Sequence, residues 1–141
     1  MTQEDKELLF RDLCARIPYN VKCYNSKYRP DLAEEIICIT VNYNHPCVQL
    51  GTYLYKLEQV KPYLFPLSSI TREQIFEVQE ILGKNEIEIE DGFLSIIDSS
   101  RNTITYLEIL ALLNWFYKNH FDINGLIPRG LAIDATNLNI Y

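Results

Sequence analysis

The sequence predicts a single α+β domain over residues 1–141, a small antiparallel sheet packed with about three helices. Three observations carry that expectation. Helical apolar spacing with start signals occurs near the N-terminus, after Thr71 and after Thr105. The stretch between Val21 and Tyr55 is rich in β-branched and aromatic residues. A chain of 141 residues, 48% hydrophobic and 23% charged, is large and apolar enough for a real core.

Residues 3–16 read as an amphipathic helix. Thr2 caps it, and Gln3, Glu4 and Asp5 sit at its electropositive end. Leu8, Leu9, Leu13 and Ile17 form the apolar stripe; Glu7, Arg11 and Arg16 are expected in water. Pro18 ends the helix.

A sheet is expected next. Val21–Tyr24 is a short strand and Ser26–Pro30 a loop, followed by strands at Glu35–Tyr43 and Val48–Tyr55. Asn44-His45-Pro46-Cys47 reads as the turn between the last two. Pairing Tyr43 with Val48 places Ile37, Ile39, Val41 and Tyr43 with Leu54, Thr52, Leu50 and Val48 on one face, expected against the core. The other face then carries Ile36, Cys38, Tyr53 and Tyr55. Glu58–Leu67, with Pro62 and Pro66, is expected to be extended irregular chain rather than a central strand.

Thr71 and Gln74 form a capping box, flanked by Ile70 and Ile75, and Gly83 is a helix terminator. Ile75, Val78, Ile81 and Leu82 are the stripe of that helix, with Glu73, Glu77 and Glu80 outside. Glu86–Asp98 alternates and holds Asp91-Gly92, a hairpin signal. A second capping box, Thr105 and Glu108, opens a helix from Tyr106 to Lys118. Its apolar residues cover most of the circumference, so it is expected to be central and covered on several sides. Turn signals follow, and the tail Leu131–Tyr141 offers at most a short strand.

Charge excludes some functions. The net charge is −6, and residues 72–98, with two basic and eight acidic residues, hold the whole excess. No basic stripe exists to neutralise phosphates, so nucleic acid is not an expected partner. The N-terminus lacks the basic start and long apolar run of a secretory signal, and no apolar run approaches the ~20 residues of a membrane span. A cytoplasmic location is expected, with no membrane partner. Cys14, Cys23, Cys38 and Cys47 form no CxxC pair and read as reduced, mostly buried thiols.

Catalytic chemistry finds little support. His45 and Cys47 lack companions for a four-ligand set, and Glu86, Glu88 and Glu90 lack calcium-loop spacing, so no metal or cofactor is expected. There is no GxSxG elbow, Walker loop or GxGxxG among five glycines. The most site-like stretch runs from His120 to Arg129, where His120, Asp122, Asn124 and Arg129 follow the most apolar helix. The competing reading makes His120 a helix-end residue and Asp122 and Asn124 turn formers. Seven of ten tyrosines lie between residues 19 and 63, and Tyr53 and Tyr55, with Ile36, are candidates for a partner-binding patch or for the seat of a packed helix.

Three segments carry a resemblance: DLCARIPYNVKC at 12–23, VKPYLFPLSSIT at 60–71 and NHFDINGLIPRGLAIDA at 119–135. Together, over roughly a third of the chain, they resemble a family of small proteins of gut Bacteroidetes genomes and their phages or mobile elements. Where that family has Tyr-Arg after His-Phe-Asp, this chain has Ile123-Asn124. The resemblance implies a cytoplasmic accessory protein of phage or mobile-element origin and brings no catalytic or binding residues with it.

The favoured expectation is therefore a non-enzymatic module that binds protein through Tyr53 and Tyr55 or through the acidic 72–98 region. The alternative is a small-molecule binder or enzyme with a pocket at His120, Asp122 and Arg129.

Overall fold

The computed structural model describes residues 1–27, 32–42, 45–83, 86–90, 93–97 and 104–141. The chain is α+β, with three α-helices and a six-stranded, mostly antiparallel sheet among the described residues. It divides into two compact units. One joins Met1–Leu64 to Asn124–Tyr141, and the other is Phe65–Ile123.

The first unit opens with α1, Gln3–Arg16. The Thr2 hydroxyl accepts the Asp5 amide, and the Asp5 carboxylate accepts the Thr2 amide, so two donors that a helix start leaves over are satisfied. The sheet comprises β1 (Lys22–Asn25), β2 (Glu34–Asn42), β3 (His45–Leu50), β4 (Tyr53–Lys56), β5 (Val60–Leu64) and the two-residue β8 (Ile133–Asp134), in the order β4-β3-β2-β1-β5-β8. Leu9, Leu13, Val21, Val48, Leu50, Tyr55, Val60 and Leu64 form its core.

Four expectations fail here. The register differs, because β3 starts at His45 and Ile39 lies opposite Val48, four residues from the pairing expected for Tyr43. Tyr43 and Asn44 themselves lie outside the described residues, as do residues 28–30 of the expected loop. The run from Val48 to Tyr55 is two strands, turned at Gly51 with φ +54°, a conformation that suits glycine. With a bulge between Ile36 and Cys38, β2 and β4 depart from the expected faces, while Val48 and Leu50 of β3 are buried as expected. Ile36 and Tyr55 are buried, whereas Ile37, Val41 and Leu54 are exposed.

The second failure is β5, a central strand between β1 and β8 despite Pro62. The Ser26 amide donates to the Gln59 carbonyl, and alternation along the ladder makes Cys23–Pro62 a pair that exchanges no hydrogen bonds. The missing N–H of Pro62 therefore faces the side where β8 pairs only with Tyr63 and Leu64. No ladder bond is lost.

The third is Arg16, expected in water but fully buried. Its Nε donates to Asp12 Oδ2 at 2.6 Å and its Nη2 to Asp12 Oδ1 at 3.0 Å, both side chains inaccessible to solvent. The fourth is the cysteines, expected to be mostly buried: only Cys23 is buried, Cys38 and Cys47 are half-buried and Cys14 is exposed, all as free thiols.

The second unit contains α2 (Arg72–Ile81), a hairpin of β6 (Glu86–Glu90) and β7 (Phe93–Ile97), and α3 (Tyr106–Lys118). The expected hairpin forms, with Glu86 opposite Ile97 and Glu90 opposite Phe93, while Asp91-Gly92 lies outside the described residues. Both capping boxes form: the Thr71 amide donates to Gln74 at 2.9 Å and the Thr105 amide to Glu108 at 2.7 Å. Leu67, Val78, Leu82, Leu112, Phe116 and Phe121 make the core of this unit.

Candidate functional site

His120 and Asp122 stand where α3 ends. His120 has φ +59° and occupies the left-handed position that stops a helix. Its amide donates to the Tyr117 carbonyl and that of Phe121 to the Phe116 carbonyl, the double bond of a Schellman terminus. The accompanying apolar contact is also present, with the Phe116 and Phe121 rings edge-on at 6.0 Å. Phe65 then receives this segment as a parallel bridge: its amide donates to the His120 carbonyl at 2.9 Å, and its carbonyl accepts the Asp122 amide at 2.8 Å. Asp122 is buried. The backbone of both residues thus serves to end a helix and anchor the chain.

Arg129 belongs to the first unit. Its Nη1 donates to Glu4 Oε1 at 3.3 Å and Asp5 Oδ1 at 3.2 Å. Hydrogen bonds from Thr2, with help from Arg129, hold the Asp5 carboxyl below its ordinary value of 3.8. Lys6 pairs with Glu58 close by and depresses that carboxyl too. Arg129, Lys6, Glu58, Asp5 and Leu131 line an open cleft of about 600 Å³. Both cations there are already engaged by carboxylates of the same chain, so an anionic ligand would have to displace Glu58, or Glu4 and Asp5. Asn124, the remaining polar residue of this stretch, donates to Asp12 Oδ1 at 2.8 Å and belongs to the buried Asp12–Arg16 pair.

The tyrosine pair separates. Tyr53 is 48% exposed at the edge strand β4, but Tyr55 has no exposed surface and is a core residue. The expected patch of two exposed tyrosines does not exist, because the register sets both on the core-facing side and Tyr55 lies opposite the buried Val48.

No family model, curated protein or solved structure matches this chain. Its chemistry is therefore read from its own surfaces. Among the described residues no cluster of three or more His, Cys, Asp or Glu could hold a metal ion, and no helix is long and apolar enough to cross a membrane.

One apolar surface was not anticipated. Far from being covered on several sides, α3 buries only Leu112 and Phe116. Tyr106 is 76% exposed, Leu107 73%, Ile109 44%, Leu110 41% and Leu113 39%. At 100° per residue, Ile109, Leu113, Tyr106 and Leu110 fall within one arc of about 100°, opposite the Trp115 side of the helix. Trp115 is itself held to α2, its Nε1 donating to Glu77 Oε2 at 2.9 Å, and it stacks on Phe121 at 5.7 Å. The helix is thus fixed on one side and presents apolar side chains on the other. The same unit, Phe65–Ile123, has four Lys/Arg against ten Asp/Glu, while the rest of the chain has nine of each. The whole net charge of −6 belongs to the unit that exposes α3.

Proposed function

We propose that this protein is a non-enzymatic binding module that docks another protein on the exposed face of α3. The observation that carries the reading is the row of Tyr106, Leu107, Ile109, Leu110 and Leu113, a third to three quarters exposed on a helix whose other side is anchored. Exposed apolar area concentrated this way marks association surfaces more often than chance scatter. The resemblance supplies the setting: a cytoplasmic accessory protein of phage or mobile-element origin. Nucleic acid and anionic lipid are disfavoured as partners because the unit carrying the surface shares their sign.

The test is capture from the native host with the intact chain and with Leu107→Asp/Leu110→Asp. The double variant is expected to lose the captured protein while its urea unfolding midpoint stays near that of the parent, since both side chains are exposed. Tyr53→Ser should capture as the parent does. Equal capture by the parent and the α3 variant would end the reading.

A further inference from the structure

We infer that the partner segment is a cationic amphipathic helix laid along α3, an inference that rests on the docking role proposed for that helix. The spacing argues for a helix. Tyr106, Leu110, Leu113 and the half-buried Tyr117 stand at i, i+4, i+7 and i+11, the period at which one helix receives the side-chain ridge of another. Thirteen residues give a seam of about 20 Å, enough for three turns of a partner.

The area suits a transient complex. The five exposed apolar side chains offer on the order of 500 Å², near the upper end for the largest apolar patch of a monomer. Covering them with an equal area makes about 1,000 Å² in total, the lower limit for a specific interface. Burial of this size holds a partner without making it permanent.

Charge chooses among occupants. A second copy of the chain would bring one −6 unit against another, and the charges of α3 itself, Glu108 and Lys118, cancel. An anionic membrane surface meets the same repulsion. A helix with Lys or Arg flanking its leucines is attracted instead to a unit of net −6, and faster association is the expected benefit.

Two synthetic probes of identical apolar spacing test this: a fluorescein-labelled Leu/Lys helical peptide and its Leu/Glu counterpart, each titrated against the full chain. The Leu/Lys peptide is expected to bind at least tenfold more tightly. Raising NaCl from 50 to 300 mM should slow its association severalfold and leave dissociation nearly unchanged. Leu107→Asp/Leu110→Asp should abolish binding, and the milder Tyr106→Ser/Leu107→Ser, chosen in case the first fails to fold, should weaken it at least fivefold.

Leu/Lys binding that ignores both variants would mean simple attraction to acidic surface and overturn the proposal. So would equal binding of the two peptides, or a dimer of the parent that Leu107→Asp/Leu110→Asp converts to monomer. If neither peptide binds but host capture still depends on Leu107 and Leu110, the cationic helix is wrong and the docking face stands. If capture is also independent of them, both fall.

Discussion

Asp12 and Arg16 face each other one helical turn apart with no solvent access, and Asn124 adds a third polar group to the cluster. The burial has a chemical echo in Cys23, whose thiol is pushed well above its ordinary range chiefly by desolvation, with the Asp12 charge adding to it. Removing one partner of such a pair is far more costly than removing both, because the survivor keeps its charge in a dry site. Asp12→Ala is therefore expected to lower the unfolding free energy by about 3–5 kcal/mol. Asp12→Leu combined with Arg16→Met should recover most of the loss, and chemical denaturation of both variants checks it. A single variant costing under about 1 kcal/mol would show the pair to be solvated. The sequence hid this cluster behind an ordinary pattern, since acid and base four apart usually form a wet helix pair. The signal that could have found it lies in the stripe itself. Leu9, Asp12, Leu13 and Arg16 recur at i, i+3, i+4 and i+7, so both charges occupy core positions of α1.

Helix ends are the elements that local chemistry specifies most completely. Each α-helix starts at a threonine whose box partner stands three residues on, and the starts after Thr2, Thr71 and Thr105 were all readable from those residues. Thr105→Ala removes the acceptor of the Glu108 amide and one of the donors that hold the Glu108 carboxylate. It should cost about 1 kcal/mol, seen as faster amide exchange in the first turn of α3 with little change in its last turn. Uniform acceleration along α3 would mean that the cap is not a local term. Strands were less accessible because their pairing is decided by turns. One turn at Gly51 splits Val48–Tyr55, and with the bulge in β2 buried and exposed positions exchange at Ile36/Ile37 and Leu54/Tyr55, while Val48 and Leu50 of β3 stay buried. That glycine inside an apolar run was a usable warning. Pro62 misled in the opposite direction, since a proline is tolerated in a central strand where its nitrogen faces no ladder partner.

At the scale of the molecule, the feature that sequence could not resolve is whether an all-round apolar helix is enclosed or waiting for a partner. Hydropathy reads the two alike, and only the position of Leu112 and Phe116 against α2 distinguishes them for α3. Charge is different, because it can be counted before folding, and the excess of residues 72–98 falls entirely inside Phe65–Ile123. This partition has a consequence for stability as well as for binding. A unit of net −6 repels itself when folded, and salt relieves that repulsion; the neutral unit has no such reserve. Between 50 and 500 mM NaCl the screening length falls from about 14 to about 4 Å. Amide exchange in α2 and α3 should consequently slow by about two- to fivefold, a gain of roughly 0.4–1 kcal/mol in opening energy. Amides of β1, β2 and β5 should change by less than half as much. An equal response in both sets would point to salting-out of apolar surface, which acts on both cores, and would remove the charge partition as a determinant of stability.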